Sequence, residues 1–247
     1  MNAHAPLVVQ FAMRGEAAPL LARGEFSPLE WQGSDSRYGF LLHSGRTHLG
    51  HEVLVAISGV HPRDQIDSIG TLTAALLTHS VITRYSPRLI INAGTAGGFQ
   101  MQETKIGDVF LGDRHAVFHD RRVALPGNFP RFADGMRPVL HDPELATRLG
   151  LRSGVVSTGD SLDCTSEDMK HLIRHGASAK EMEAAAIAHV CEAQGVPLVL
   201  LKSITDIVDH TEGDAEHATT EAQFLRNYGL AVERLTDRLE QVIAHYS

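Results

Sequence analysis

Short apolar runs alternate along this chain with stretches in which apolar residues recur at helical spacing. Pro6–Met13 (PLVVQFAM) reads as a buried strand and Glu16–Ala22 as a helix. Tyr38–His43 and His48–Ser58 alternate or run apolar, as strands do. A long helix is predicted from Asp67-Ser68-Ile69-Gly70-Thr71 to about Tyr85, with Asp67 or Ser68 as N-cap. Arg88–Ala93 is a short apolar run that ends in Gly94-Thr95-Ala96-Gly97-Gly98. Ile106–Phe118 reads as a strand broken near Gly112. Leu125–Pro138, rich in Pro, Gly and aromatics without a period, reads as a long loop. Beyond it come a helix over Asp142–Leu149, a strand over Gly154–Thr158 and a helix begun by Ser166 and Glu167 and running to His175. Ala179–Met182 is short and extended, Ala184–Gln194 is an alanine-rich helix, and Val196–Ile204 is the clearest core strand. His210–Thr220 is a polar, acidic loop, and Glu221 to about His245 a long amphipathic helix.

Alternation of strands and helices throughout predicts an α/β architecture around a mixed, largely buried sheet. With 247 residues, 43% of them hydrophobic, the chain suits one domain over 1–247. No internal repeat, low-complexity segment or shift of composition marks a boundary. The formal charge of -8 and the sequence pI of about 6.0 lack the basic footprint of a nucleic-acid binder. No apolar run reaches the ~20 residues needed to cross a bilayer, and Met1–Pro6 has no signal-peptide pattern. Cys164 and Cys191 read as small apolar residues rather than a disulfide framework. The 15 histidines read as scattered, without an HxxxH pair or a CxxC, so no metal centre is expected. The expected location is the cytoplasm.

Carboxylates at the ends of core elements are the candidate chemistry. Burying an unpaired charge costs several kcal/mol, yet Lys180-Glu181-Met182-Glu183 places two acids where an extended run becomes a helix. Asp206 likewise comes at the end of the best strand. Glu183 has a plain reading as a helix cap, and Asp206 as a turn residue. Glu16 is equally explained as an acid in the first turn of a helix. Gly94–Gly98 is either a tight strand-to-helix turn or a place where backbone approaches a ligand; it fits neither a dinucleotide fingerprint nor a P-loop. Thr158–Asp163 comes after another strand, with Asp160 or Asp163 available to cap the next element. Glu16, Thr95, Asp160, Glu183 and Asp206 all lie at strand exits, which in a parallel sheet would line one edge.

Six motifs in order carry a resemblance over nearly the whole chain: Phe11–Glu16 (FAMRGE), Ile91–Gly98 (INAGTAGG), Ile106–Val109 (IGDV), Ser157–Asp163 (STGDSLD), Glu181–Ala188 (EMEAAAIA) and Lys202–Asp206 (KSITD). Together they resemble the nucleoside phosphorylase superfamily, and within it the 5′-methylthioadenosine/S-adenosylhomocysteine nucleosidases. Asp67–Gly70, Phe118–Arg122 and Gly159–Asp163 are most similar to the plant-type members. The resemblance implies a three-layer α/β/α fold with a central mixed sheet, nucleoside phosphorylase-like. It also implies a homodimer in which Leu125–Phe129 reaches the partner, and no metal or organic cofactor. The implied reaction is hydrolysis of the N-glycosidic bond of methylthioadenosine, in methionine salvage. Asp206 would be the general acid at adenine N7, which needs a carboxyl that keeps its proton near neutral pH. Glu16 would be the base for the attacking water. Glu183 would hold the ribose hydroxyls, with Met182 packed on the sugar. Met13, Thr205 and Glu181 would complete the substrate contacts. Thr95, Ala96 and Gly97 would run along sugar and base, Leu162 would cover the adenine, and the Asp163 backbone would read its edge.

Three positions depart from the bacterial pattern: Leu162 replaces an aromatic residue, Thr205 a serine, and Lys202 an arginine, which is a different kind of donor. The His210–Thr220 loop, expected at the alkylthio pocket, also differs, and the plant-like features favour methylthioadenosine over S-adenosylhomocysteine. The rivals are a purine nucleoside phosphorylase, a hydrolase of aminofutalosine or a related purine nucleoside, and a non-catalytic nucleoside-binding or storage protein. A phosphorylase needs several arginines around phosphate, and Arg14 is the one basic residue near the first motif. A binding protein has no need of Glu16, Glu183 and Asp206 together.

Overall fold

A computed structural model describes residues 5–31, 33–209 and 219–247. Its elements, in order, are β1 (Leu7–Phe11), α1 (Arg14–Arg23), β2 (Glu25–Leu29), β3 (Leu41–Arg46), β4 (Glu52–Ile57), α2 (Thr71–Tyr85), β5 (Leu89–Gly98), β6 (Val109–Phe118), α3 (Phe129–Asp134), β7 (Arg137–Pro138), α4 (Pro143–Leu149), β8 (Arg152–Thr158), α5 (Ser166–Arg174), β9 (Ala177–Glu181), α6 (Ala184–Gln194), β10 (Leu198–Ile207) and α7 (Thr220–Tyr246). The predicted 210–220 loop lies, but for its last residues, outside the described part.

The three layers arise from the period-2 alternation of strand side chains. Leu7, Val9 and Phe11 of β1, Val53, Val55 and Ile57 of β4 and Val199 and Leu201 of β10 face Leu20 of α1 and Leu235, Leu239 and Val242 of α7. Their neighbours Val8, Leu54, Ala56 and Leu200 face the opposite side, against Leu77 and Val81 of α2 and Ala184 to Ala188 of α6. Strands buried on both faces read as continuous apolar runs, which is why β1, β4 and β10 are plain in the sequence.

The sheet is mixed, as predicted. β1 pairs parallel with β4 and β5, and β10 parallel with β5. β6 runs antiparallel to β10, and β8 and β9 continue from β6 in parallel. The antiparallel pair Gly97–Lys180 then joins β9 back to β5, so five of the strands curl into a closed ring. The strand exits therefore do not line one parallel edge. β5 and β9 run against each other, and ring closure brings their carboxyl ends together.

Some local expectations change. Gly94–Gly98 is no turn but the second half of β5. Leu125–Pro138 contains α3, set between Asn128 and a left-handed Gly135 (φ 55°), and β7; six residues are too few to show a helical period. Edge strand β2, with Pro28 inside it and mostly exposed, has no apolar alternation to announce it. α2 starts two or three residues later than its candidate caps, with Gly70 at the N-cap (φ 98°); Asp67 is engaged instead by Arg14, whose backbone N–H and Nε lie 3.2 and 2.8 Å from Oδ1. Thr165, not Ser166, caps α5, accepting the Asp168 N–H at 3.1 Å. Among the described residues no helix is long and apolar enough to cross a membrane.

Candidate active site

A cavity of about 170 Å³ opens where the strand exits meet. Met13 and Glu16 reach it from the β1–α1 junction, Thr95, Ala96 and Gly97 from the end of β5, and Thr205 and Asp206 from the end of β10. Glu181, Met182 and Glu183 enter from the β9–α6 junction, and Leu162 from the loop after β8. Of the residues singled out from sequence, Asp163 is outside this lining, and it is exposed. The Lys180 ammonium holds the Ser161 and Leu162 carbonyls at 2.7 and 3.0 Å, and the chain turns to solvent beyond them. Asp160 is also off the cavity; it accepts the Thr71 N–H at 2.7 Å and so caps α2 from across the site.

Glu16 does two jobs. As the third residue of α1 it reaches back to the Met13 N–H with Oε2 at 3.1 Å, the carboxylate half of a capping box. Its Oε1 crosses to β5 and accepts the Thr95 N–H at 2.7 Å and the Thr95 hydroxyl at 2.8 Å. Burial pushes the Glu16 carboxyl up from its ordinary value, while the Thr95 N–H, Lys202 and the Met13 N–H pull it back. A carboxylate surrounded by donors is an acceptor by construction, suited to take a proton from water.

The paired acids of the β9–α6 junction divide the work unexpectedly. Glu183 stands at the N-cap of α6 but makes no side-chain cap bond; its Oε1 accepts the Gly70 N–H at 2.8 Å instead. Glu181 does the capping, taking the Ala184 N–H at 3.0 and 2.9 Å and the Glu183 N–H at 3.1 Å. The Thr158 hydroxyl donates to Glu181 at 2.5 Å, and buried Lys202 neutralises it at 2.9 Å. Glu181 is thus fully engaged by protein, and Glu183 keeps an oxygen for the cavity. Burial, then the neighbouring Glu181 carboxylate, pushes Glu183 up to about 8.

Asp206 is placed by an irregular strand. β10 pairs Ile204 with Ala96 and then Asp206 with Gly97, so Thr205 is the extra residue of a bulge. The bulge lets consecutive residues, Thr205 and Asp206, both reach the cavity. The Thr205 hydroxyl lies 2.7 Å from Asp206 Oδ1 and 3.2 Å from the Ala96 carbonyl. Glycine leaves room for both carboxylates: a Cβ on Gly97 would lie 2.7 Å from Asp206 Oδ2, and one on Gly94 3.1 Å from Glu16 Oε1.

Ala12, Ile69, Lys180, Val208 and Phe224 also line the cavity and were not singled out from sequence. Lys180 had a signal, a lysine inside a short buried strand; Phe224, early in α7, had none. Two open grooves elsewhere hold ions that are already paired, Arg46 with Glu52 at one and Arg23 with Asp237 at the other. Asp134, His171 and His175 converge within 4.8 Å, and, against the expectation of no HxxxH pair, His171 and His175 form one, as do His115 and His119. However, the Arg174 guanidinium sits among them, 2.5 Å from Asp134 and 2.8 Å from His171, as the cation of that cluster.

Comparison with known proteins agrees along nearly the whole chain. A family model described as the phosphorylase superfamily matches residues 6–244. The 5′-methylthioadenosine nucleosidase of Arabidopsis thaliana is 37% identical over 241 residues, covering 96% of this chain and 85% of that one. An Arabidopsis thaliana 5′-methylthioadenosine/S-adenosylhomocysteine nucleosidase is 39% identical over 178 residues, 72% of this chain and 67% of the relative. The apo structure of Arabidopsis thaliana 5′-methylthioadenosine nucleosidase superposes with a TM-score of 0.89 at 35% identity, over 98% of this chain and 95% of that one. With its mixed three-layer fold and a family match from residue 6 to residue 244, the chain belongs to the phosphorylase superfamily.

Proposed function

We propose that this protein is an N-glycosidase that hydrolyses 5′-methylthioadenosine to adenine and methylthioribose, serving methionine salvage. The observation that carries the reading is the approach of two buried carboxylates to the exit of β5, Glu16 from the first turn of α1 just past β1 and Asp206 from the end of β10, each facing a glycine. An acid and a base on two sides of one small cavity suit cleavage of a glycosidic bond by water.

In this reading Asp206 protonates N7, so that adenine leaves as a neutral molecule. The ribose gains oxocarbenium character, and Glu183 grips its hydroxyls as charge develops. Glu16, oriented by Thr95 and Met13, draws the proton from the attacking water. Met13 and Met182 pack on the sugar and its thioether, and Leu162 and Phe224 close the apolar walls. A positioned proton donor contributes ~100- to 10,000-fold in rate.

Water rather than phosphate is favoured by the fate of the nearby cations. Arg14 is held by Asp67 at 2.8 Å, Lys202 by Glu181 at 2.9 Å, and Lys180 by two carbonyls. The protein is further proposed to be a homodimer, since Leu125, Phe129, Phe132 and Met136 are all exposed around α3. Residues 1–247 are read as one catalytic domain, because β1 and β10, from opposite ends of the chain, both pair with β5. A cytoplasmic location suits the free thiols Cys164 and Cys191.

The test is adenine release from methylthioadenosine, S-adenosylhomocysteine and adenosine, with and without phosphate. Free methylthioribose at a phosphate-independent rate is expected. A sugar phosphate as product would replace hydrolysis by phosphorolysis, and binding without release over hours would leave a nucleoside-binding protein. Light scattering checks the dimer, which a monomer would exclude.

A further inference from the structure

The three segments most similar to the plant-type nucleosidases, Asp67–Gly70, Phe118–Arg122 and Gly159–Asp163, carry none of the proposed acid–base chemistry. In space they meet at one residue, Asp160, through its backbone N–H on one side and its carboxylate on the other. Asp120 Oδ2 accepts the Asp160 N–H at 2.8 Å, fixing the loop after β8. Asp160 in turn accepts the Thr71 N–H at 2.7 Å and the Thr71 hydroxyl at 2.6 Å. The first N–H groups of a helix have no partner within it, and α2 has no cap side chain of its own, only Gly70. A Cβ on Gly70 would stand 2.8 Å from Asp160 Oδ1, so glycine is what lets the loop come this close. The neighbouring Gly70 N–H is the donor that holds Glu183. On either side of this link, Ile69 and Leu162 both line the cavity.

We propose that Asp160 is a positioning residue. It ties the start of α2 to the loop carrying Leu162, and so fixes the Gly70 N–H that aims Glu183 at the ribose. The inference rests on the nucleosidase reading for its substrate, but the latch itself is a property of the unliganded protein. Asp160 is exposed and does not itself line the cavity, so its removal should loosen the grip on the sugar rather than unfold the chain. A carboxyl group that no longer meets the ribose hydroxyls squarely discriminates poorly against a sugar that lacks one.

The experiment compares wild type, Asp160→Ala, Asp160→Asn and Thr71→Val on methylthioadenosine and its 2′-deoxy analogue, with amide exchange at Gly70 as a second readout. In Asp160→Ala the ribo-over-deoxy ratio of kcat/KM should fall about tenfold or more, with Tm nearly unchanged. Gly70 exchange should quicken about tenfold. Asp160→Asn keeps one acceptor for the Thr71 N–H and should fall between. Thr71→Val should match Asp160→Asn, and the two together should add little. Equal losses on both substrates, or an unchanged ratio, would overturn the positioning role. Unchanged Gly70 exchange would overturn the latch, whatever the activity. Absence of adenine release by wild type would instead sink the nucleosidase reading, leaving the exchange result to decide the latch.

Discussion

Gly97 stands opposite Asp206 in the β5–β10 pairing, and a Cβ there would come within 2.7 Å of Asp206 Oδ2 and 2.5 Å of Val208 Cγ1. The Val208 methyl can rotate away. The Asp206 carboxylate cannot do so freely, because the Thr205 hydroxyl holds its other oxygen. Gly97→Ala should therefore displace the proposed acid and cut kcat for adenine release at least about 100-fold, the scale of a lost proton donor. Gly94→Ala, with 3.1 Å to Glu16, should lose less. Steady-state kinetics beside a melting curve separates this from unfolding, and a Gly97→Ala enzyme with wild-type kcat would remove the steric argument.

Asp206→Asn tests the acid directly. The amide keeps the shape and cannot deliver a proton to N7. Turnover should drop ~100- to 10,000-fold while methylthioadenosine still binds, as read by calorimetry. Glu16→Gln should be crippled too, since the amide cannot take the proton of the attacking water. Wild-type rates in either variant would reassign that role.

Lys202→Met tests the buried pair beneath the site. It leaves the Glu181 carboxylate charged among Thr158, Glu183 and Ala184 with no cation. Breaking a buried pair from one side costs about 3–5 kcal/mol, which for a chain of this size lowers Tm by roughly 10 °C. An unchanged Tm would mean that the N–H donors of α6 suffice. The double change Lys202→Met with Glu181→Gln should recover part of the loss.

How much of this was legible depended on the kind of residue. β1 and β10, apolar on both faces, and α7, with its long stripe, are written in the hydrophobic pattern. The second half of β5 was not, because its glycines are there to admit carboxylates and not to turn the chain. The glycine turn and the strand are the same letters until Glu16 and Asp206 are placed beside them. The exchange of roles between Glu181 and Glu183 was equally hidden. Both acids flank one methionine, and only the positions of Lys202 and Gly70, far off in sequence, decide which caps the helix. The candidate residues could be gathered from strand exits, but that opposed strands β5 and β9 bring them to one cavity depends on ring closure, a topological fact.

The buried carboxyls set the expected pH response. Glu183 is pushed from the ordinary carboxyl range to about 8, and burial also raises Glu16. The folded protein therefore holds these protons more tightly than the unfolded chain. Their contribution to stability is complete below the ordinary carboxyl range and is lost as pH rises toward the folded-state value. Glu183→Gln removes that loss, and its amide oxygen can still accept the Gly70 N–H. The variant should thus be more stable than wild type at pH 9, by at least about 1 kcal/mol, with the advantage shrinking toward pH 5. Urea unfolding of both proteins at the two pH values measures it. A difference that stays constant with pH would show that Glu183 does not titrate in this window, and that its burial is matched by donors other than the Gly70 N–H.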